Sequence, residues 1–507
     1  MSSGSETVEC VGVIGAGAMG SGIAQVTITG GMQAIIFDQN RQAVSAAIEQ
    51  IGQRLDRLVE KQRLSADDAA AAKARLHPAT RIADLSDCQL VVEAIVEKLE
   101  AKQAVFVELE QHVAPDTVLA SNTSSLSIAA IASACQHRGR VAGMHFFNPV
   151  PLMKLVEVIS GPDTRSHVAA MLADVARRME RIPVKVADSP GFLVNLGGRA
   201  FNTEALHLLR EGVASPAQID AVMRDCCAFR MGPFELMDLT GIDVNYPVST
   251  IIHQGFFFDP RLRTTPHHRQ LHESGRLGRK SGRGFYAYGA AQPGTDDDNG
   301  TPADHPTNPE QAADAVFLAE ADERLADLMQ GAGCRVLDTD DGHAPIVTAP
   351  LGEDASTVAA RLGLPGNRLV AVDTLTASAG RVVIMTPPGG DPGVRDAVAA
   401  ALATTGRAVT AIHDSPGFIA QRICAMVANL GCEMAQIGLA DPGDIDTAMT
   451  LGLNYPAGPL ALCERHGKRQ IYTIMQRLQA ATGDDRYRPS SWLRRRAQLG
   501  LPIHRPD

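Results

Sequence analysis

A histidine and a glutamate lie close together in the stretch GMHFFNPVPLMKLVEVI, residues 143–159. His145 ends a short apolar run, and Glu157 stands among apolar neighbours in the next run. A carboxylate in such surroundings is costly to bury unless it is paired. The two residues are therefore either ordinary structural residues, or a general base and the carboxylate that orients its imidazole. Taken alone, each residue favours the structural interpretation.

Further polar side chains follow strand-like runs near this pair. Ser124 follows the run in TVLASNTSSLSI, and Asn148 follows His145 in RVAGMHFFNPV. Polar groups at the ends of parallel strands are typical of a substrate site beside a nucleotide crevice. Ser124 could instead cap a helix formed by NTSSLSIAAIA. Asn195, in DSPGFLVN, could merely hydrogen-bond the backbone.

The element that would position a nucleotide lies at the start of the chain. VECVGVIGAGAMGSGIAQVTITGGMQAIIFDQN reads as strand, glycine turn, helix and strand, and Asp38 follows the second strand. Gly15 permits the tight turn, Gly17 lets the backbone approach a diphosphate, and Gly20 allows the helix to pack on the strand. A carboxylate at Asp38 would accept hydrogen bonds from the ribose and repel a 2′-phosphate, which favours NAD over NADP. The alternative for Asp38 is a turn residue.

A helical arm after Asp38 carries a basic stripe. The apolar positions of the arm recur at spacings of three and four, which predicts an amphipathic helix: Val44, Ile48, Ile51, Leu55 and Leu58. Arg54, Arg57 and Lys61 follow the same spacing on a neighbouring face. These cations are either a solvated face or a clamp for a phosphorylated carrier. Downstream, CQLVVEAIVEKLEAK predicts a buried strand and a helix, with Glu97 and Lys102 near the carboxyl end of the strand.

The motifs taken together resemble the 3-hydroxyacyl-CoA dehydrogenases of fatty-acid oxidation and related CoA-thioester catabolism. The matching segments span residues 11–288 in family order: GVIGAGAMGSGIAQ, VVEAIVEKLEAK, SNTSSLSI, HFFNPVPLMKLVEVI, DSPGFLVN, GPFELMDLTGID and GRKSGRGFY. The resemblance implies that His145 is the general base and that Glu157 holds its imidazole. It also implies that Ser124 and Asn195 hydrogen-bond the 3-oxygen of the substrate. The family usually has Arg after this asparagine, whereas Leu196 stands here.

The resemblance extends to the ligand positions. It implies that Glu97, Lys102, Asn148 and Lys280 surround NAD, and that Lys61 contacts CoA. A CoA role for Arg54 and Arg57 rests on the basic stripe alone. No metal is expected. Two alternatives remain: a dehydrogenase of another class, and a noncatalytic crystallin-like nucleotide-binding protein.

An internal duplication divides the chain. DSPGF begins at Asp188 and again at Asp414, and the same shift of 414 − 188 = 226 maps SPAQIDAVM onto DPGDIDTAM. Together with the resemblance, the duplication implies an α/β plus all-α fold class: a Rossmann-like doubly wound sheet domain and a helical domain, followed by a degenerate copy of both. We expect five regions: 1–187 for NAD, 188–290 helical, 291–310 a linker, 311–411 a reduced Rossmann-like domain and 412–507 helical. The second copy lacks the glycine turn, and Gln421 replaces Asn195, so it should be noncatalytic.

Composition limits the partners and the compartment. A net charge of −10 disfavours nucleic acid, and no apolar run is long enough to span a membrane. Nine Cys without regular pairing read as reduced thiols, which suggests the cytoplasm. The expected partner is an acyl-CoA substrate. A homo-oligomer is possible, and by analogy with dimers of shorter family members the two helical domains could pair within one chain.

The long two-copy form resembles bacterial enzymes of phenylacetate catabolism. This resemblance implies 3-hydroxyadipyl-CoA as the substrate, with 3-hydroxybutyryl-CoA as the alternative. Residue spacing does not identify the side chains that would select the acyl chain.

Overall fold

A computed structural model describes residues 7–288, 302–378 and 380–507. The described residues form two compact units: those up to 196 with 437–453, and those of 197–436 with 454–507. The predicted combination of a Rossmann-like sheet domain and helical domains is confirmed, as is the second, smaller sheet. Most of the predicted linker at 291–310 lies outside the described residues. None of the helices in the described ranges is long and apolar enough to cross a membrane.

The first unit is built on an eight-stranded sheet. Its strands are β1 (Cys10–Ile14), β2 (Gln33–Phe37), β3 (Leu76–Pro78), β4 (Leu90–Glu93), β5 (Val118–Ser121), β6 (Val141–Phe146), β7 (Leu155–Ser160) and β8 (Ile182–Ala187). They lie in the order β3-β2-β1-β4-β5-β6-β7-β8. All neighbours are parallel except β6 and β7. The central strands are buried on both faces, which is why their sequences are continuous apolar runs.

Seven helices accompany this sheet in the sequence. They are α1 (Ala18–Thr29), α2 (Arg41–Glu60), α3 (Ala66–Ala74), α4 (Leu99–Glu110), α5 (Ile128–Ala132), α6 (Ser166–Arg178) and α7 (Val194–Gly197). The predicted arm is α2, and its apolar stripe packs on the core of the sheet. Asn40 begins α2, since its side chain accepts hydrogen bonds from the backbone N–H groups of Gln42 and Ala43.

The second unit contains the reduced sheet. Its strands are β9 (Ala315–Leu318), β10 (Arg335–Leu337), β11 (Ile346–Thr348), β12 (Leu369–Val372), β13 (Arg381–Met385) and β14 (Ala408–Ile412). The order is β10-β9-β11-β12-β13-β14, and only β12 and β13 are antiparallel neighbours. An antiparallel pair therefore follows a run of parallel strands in both sheets, as the duplication predicts.

The described residues contain thirteen further α-helices. They are α8 (Arg199–Arg210), α9 (Pro216–Asp225), α10 (Pro233–Thr240), α11 (Ile242–Gly255), α12 (Pro266–Glu273), α13 (Glu323–Gly331), α14 (Ala355–Leu362), α15 (Pro392–Ala403), α16 (Ala420–Gln436), α17 (Pro442–Leu453), α18 (Pro459–His466), α19 (Lys468–Thr482) and α20 (Ser491–Leu499). Helix α9 begins with a capping box, in which Ser215 and Gln218 exchange side chain to backbone hydrogen bonds.

Two features inside the second unit connect the repeats. Helix α8 of the first repeat packs on α16 of the second. The Arg422 guanidinium of α16 is buried and donates to the carboxylates of Glu204 and Glu211, each at 2.8 Å. It also donates to the Tyr487 hydroxyl at 2.7 Å. The cation that the first repeat lacks at Leu196 is thus retained in the second, where it pairs with a carboxylate of the first.

The repeated Asp of DSPGF has the same structural role in both copies. Asp188 accepts a hydrogen bond at 2.8 Å from the backbone N–H of Ala129, in the first turn of α5. Asp414 accepts from the N–H groups of Ala355 and Ser356 at the start of α14, at 2.7 and 3.0 Å. A carboxylate at a helix N-terminus satisfies N–H groups that have no partner within the helix.

Candidate active site

His145 and Glu157 face each other across the antiparallel strands β6 and β7. They are direct partners in the register of the two strands, so their side chains leave the sheet on the same face. His145 Nδ1 and Glu157 Oε2 are 2.6 Å apart. Both side chains are buried, Glu157 almost completely. The structure thus brings together the two residues with which the sequence analysis began.

The second oxygen of Glu157 is held by the backbone. Glu157 Oε1 accepts hydrogen bonds from the N–H groups of Leu193 and Val194, at 3.0 and 2.8 Å. These residues follow a turn in which Gly191 and Phe192 have φ values of 77° and 48°. A carboxylate fixed by two N–H groups and an imidazole has little freedom to rotate, so the orientation of the imidazole is fixed as well.

Ser124 and Asn195 meet at the carboxyl end of β5. The Asn195 side-chain Nδ2 donates to the backbone oxygen of Ser124 at 3.2 Å. The loop that carries Ser124 is organised by Glu97, whose Oε1 accepts from the Ser124 N–H at 2.9 Å and from the Thr123 hydroxyl at 2.6 Å. Ser124 does not cap α5, because the cap of that helix is Ser127. The helix-capping alternative for Ser124 is therefore wrong.

The surroundings of Glu97 favour the ionised form of its carboxyl group. Burial alone would raise the pKa of this carboxyl, but hydrogen bonds from Thr123 and the nearby Lys102 ammonium hold the pKa below its ordinary value. Lys102 itself is 1% exposed, and its Nζ lies 2.7 Å from Glu93 and 3.3 Å from Glu97. Lys102 thus holds the Glu97 carboxylate in place from the buried side of the site.

Glu93 is a buried acid of the site that sequence reasoning did not identify. It ends β4 and is 1% exposed, and its Oε2 accepts from the Ser121 hydroxyl at 2.6 Å. A sequence signal was available, because an acid in the apolar run LVVEAIV must be paired if it is buried. The cation nine residues later in α4, Lys102, is that pair.

The glycine turn has the shape that a dinucleotide needs. A Cβ on Gly15, where φ is 104°, would lie 2.5 Å from the Ala94 carbonyl oxygen, and a Cβ on Gly20 would overlap the carbonyl oxygen of Gly15. Gly17 begins α1 without a side-chain cap, and nothing lies within 4 Å of the place where its Cβ would be. The helix N-terminus is therefore open to an anion such as a diphosphate. These residues fit NAD.

Asp38 lies beside this turn, at the carboxyl end of β2. Its Oδ2 accepts from the Ala16 N–H at 2.8 Å, and its Oδ1 accepts from the Asn40 N–H at 2.9 Å. The carboxylate thus contacts the turn that would receive the diphosphate, which fits the predicted ribose contact. The alternative of a turn residue is also partly realised, since Asp38 organises the backbone that follows it.

The remaining predicted ligand residues lie in different surroundings. Asn148 is exposed just after β6, on the sheet edge that carries His145. Lys280 belongs to the second unit, where its Nζ pairs with Asp243 at 2.7 Å. That ammonium lowers the pKa of Asp243.

The predicted basic stripe runs along the last turns of α2. Arg57 and Lys61 are exposed, and Lys61 follows directly after the last residue of the helix. Arg54 is half-buried and lies within 3.5 Å of the Gln25 side chain of α1. Neither Arg57 nor Lys61 has a salt bridge to any carboxylate among the described residues, so both cations are available to a phosphate.

One contributor was not foreseen in the sequence at all. The segment 437–453, which contains α17 of the second copy, belongs to the first unit. The Ala187 N–H donates to the Leu439 carbonyl at 2.8 Å, and the Lys185 N–H donates to Asp444 at 2.9 Å. Edge strand β8 is thus covered by residues more than 250 positions later in the chain.

Comparison with known proteins agrees with this geometry. The 3-hydroxyacyl-CoA dehydrogenase NAD binding domain matches residues 10–189. The C-terminal domain of the same family matches residues 191–288 and 417–502, in agreement with the duplication. The chain is 38% identical to a 3-hydroxyadipyl-CoA dehydrogenase of Escherichia coli (strain K12), over 97% of this chain and 98% of that one.

Two further comparisons complete this result. A probable 3-hydroxybutyryl-CoA dehydrogenase of Deinococcus radiodurans is 41% identical over 55% of this chain and 99% of its own length. The crystal structure of a 3-hydroxybutyryl-CoA dehydrogenase from Escherichia coli K12 superposes with a TM-score of 0.86 at 36% identity. It covers 97% of this chain and 99% of that chain. The likeness to that structure therefore includes both copies.

Proposed function

The chain belongs to the 3-hydroxyacyl-CoA dehydrogenase family, and we propose that it oxidises (S)-3-hydroxyadipyl-CoA to 3-oxoadipyl-CoA with NAD. The likeness to the Escherichia coli 3-hydroxyadipyl-CoA dehydrogenase over nearly the whole of both chains favours this substrate, and with it a role in phenylacetate catabolism. The second candidate is 3-hydroxybutyryl-CoA, which is named for the superposable crystal structure and for the Deinococcus relative.

The observation that carries the mechanism is the 2.6 Å contact between His145 Nδ1 and Glu157 Oε2. A carboxylate on Nδ1 fixes the tautomer in which Nε2 accepts a proton, and it stabilises the imidazolium that results. His145 Nε2 would therefore remove the proton of the 3-hydroxyl group. Bound NAD would supply the acceptor for the hydride that leaves C3.

Ser124 and Asn195 would hold the 3-oxygen. The Asn195 Nδ2 already touches the Ser124 backbone, so the side chains of both residues lie at one end of β5. A hydroxyl and an amide there would fix the carbinol oxygen and present its proton to the base. Oriented donors of this kind contribute to the rate because they need no reorganisation during the reaction.

Separate groups of residues would bind NAD and CoA. Gly15, Gly17, Gly20 and Asp38 would bind the adenosine diphosphate half of NAD, and Glu97, with Asn148, would lie near its other half. Lys102 would act mainly by fixing Glu97, and Lys280 is proposed as a further ligand of NAD from the family resemblance alone. The stripe of Arg54, Arg57 and Lys61 would bind the phosphates of CoA, because these cations follow one another along α2.

The contacts of α8 with α16 support a pairing of the two helical domains within one chain. A further homo-oligomer is compatible with this arrangement. None of the nine cysteines, all of which lie in the described ranges, forms a disulfide, which is in keeping with a reducing compartment, and we propose the cytoplasm.

The substrate assignment is tested with a matched pair of thioesters. We expect kcat/KM for 3-hydroxyadipyl-CoA to exceed that for 3-hydroxyhexanoyl-CoA, which has the same chain length without the terminal carboxylate, by about tenfold or more. The rate of NADH formation at 340 nm is the readout. A higher value for 3-hydroxybutyryl-CoA than for either would assign the second candidate instead. Failure of all three to yield NADH would reject the proposed reaction.

A further inference from the structure

Helix α17 comes from the noncatalytic copy but packs behind the catalytic pair of the first. Strand β8 is the edge strand of the first sheet, and the segment 437–453 takes up two of its outward N–H groups, those of Lys185 and Ala187. These two hydrogen bonds fix the position of α17 along the edge of the sheet. The far end of the helix then reaches the neighbouring strand β7, which carries Glu157.

The contact at that end is made by Gly452. A Cβ built on Gly452 would lie 3.0 Å from one methyl carbon of Val194 and 3.1 Å from a methyl carbon of Leu155. Ordinary carbon–carbon contacts are about 3.5–4.0 Å. The helix therefore approaches these two side chains as closely as a residue without a side chain allows.

Both side chains beneath Gly452 are connected to Glu157. Val194 donates its N–H to Glu157 Oε1 at 2.8 Å. Leu155 lies two residues before Glu157 on the same strand, and it is fully buried. A displacement of either would move the carboxylate that contacts His145 at 2.6 Å.

We propose that α17 is a positioning element for Glu157, and that Gly452 is the residue through which it acts. The inference rests on the proposed function, because it requires that turnover depends on the orientation of the His145–Glu157 pair. It gives the second copy a role in a reaction for which it has no catalytic residues of its own. Gly452 is a positioning residue, which acts on Glu157 through Val194 and Leu155.

The test introduces a side chain at the contact. Gly452→Val should lower kcat by about tenfold to a hundredfold with KM changed less than about threefold, because small misplacements of catalytic groups reduce turnover more than binding. Gly452→Ala should lower kcat by about threefold, and it replaces the valine variant if that one fails to fold. Gly443 on the same helix is the matched control, since nothing lies within 4 Å of its Cβ position. Gly443→Val should retain kcat within about twofold.

A double-mutant cycle separates positioning from general damage. If α17 acts through Glu157, adding Gly452→Val to Glu157→Gln should reduce kcat by less than about twofold more. If the fold losses of the two single variants multiply in the double variant, the positioning role is overturned, whereas the proposed role of the His145–Glu157 pair is unaffected. An unchanged kcat in Gly452→Val would have the same meaning. If Glu157→Gln alone retains full turnover, the proposed mechanism fails, and the role of Gly452 fails with it.

Discussion

The first strand–helix–strand unit of each sheet begins its helix in a different way. In the first sheet, Gly17 precedes α1 and offers no side chain to the helix N-terminus. In the second sheet, Asp322 precedes α13, and its carboxylate accepts a hydrogen bond from the Leu325 N–H at 2.8 Å. Capping and anion binding use the same N–H groups, so a helix that supplies its own carboxylate repels a diphosphate. Helix α13 therefore has a capped N-terminus that disfavours a diphosphate, whereas α1 leaves its N–H groups open.

The antiparallel strand pairs differ in the same sense. His145 is opposite Glu157 in the first sheet. In the second, the Asp373 N–H donates to the carbonyl of Val383 at 3.0 Å, so an acid occupies the place of the histidine. The carboxyl of Asp373 accepts from the Gln421 amide at 3.0 Å and the Thr376 hydroxyl at 2.5 Å. Burial raises the pKa of Asp373. The acid accepts hydrogen bonds from neutral donors, and the position opposite Val383 holds a carboxyl group where the first sheet has the imidazole of His145.

The sequence shift of 226 missed this correspondence. It aligns Asp373 with Phe147, since 373 − 226 = 147, whereas it aligns Val383 with Glu157. Opposite partners are twelve residues apart in the first copy and ten in the second, because the connection between the strands is two residues shorter. Strand register, and not a constant shift, decides which residues correspond.

The largest expected effect comes from the two residues at this shared position. His145→Gln should lower kcat by about 10²–10⁴-fold, because general-base catalysis is worth that much. Asp373→Asn should leave kcat within about twofold. NADH formation under saturating substrate is the measurement. A large loss in Asp373→Asn would show that the second copy takes part in the reaction.

The next effect concerns position 196 and its repeat, where Leu196 corresponds to Arg422. Arg422→Met should lower the free energy of unfolding by about 3 kcal/mol, because it leaves the carboxylate of Glu204 buried with one cation fewer. Urea unfolding followed by the fluorescence of Trp492, the single tryptophan, reports on this unit. Arg324→Met, at an exposed position on α13, is the control and should change stability by less than about 0.5 kcal/mol. Equal losses in both variants would mean that the buried network contributes nothing specific.

The smallest expected effect is on the preference for NAD over NADP. It distinguishes the acids that follow the second strand of each sheet. Asp38→Ala should reduce the preference for NAD over NADP by about tenfold, because a carboxylate there binds ribose hydroxyls and repels a 2′-phosphate. Asp338 follows β10 and is exposed, and Asp338→Ala should leave the preference unchanged. The ratio of kcat/KM values for the two cofactors is measured for each variant. An unaltered ratio in Asp38→Ala would remove Asp38 from the ribose site.

Much of the fold could be predicted because its signals are local. The glycine turn, the apolar runs of the strands and the stripe of α2 depend on neighbours within a few residues. The pairing of His145 with Glu157 was also accessible, since adjacent strands bring together residues that are close in the chain. Glu93 was accessible in principle, because a buried acid demands a partner.

The sequence by itself determined the duplication, the open helix end at Gly17 and the residues that could perform the chemistry. Only the tertiary structure decided that Asp373 occupies the place of the histidine, and that Arg422 pairs with Glu204 of the other repeat. It alone brought α17 against the strand of Glu157, so that Gly452 lies beside Val194. The physical reason is that Arg422 and Gly452 contact residues more than 200 positions away in the chain (422 − 204 = 218 and 452 − 194 = 258), and that the length of the connection between two strands sets the register of Asp373. Register and packing select such partners, and no local pattern encodes them.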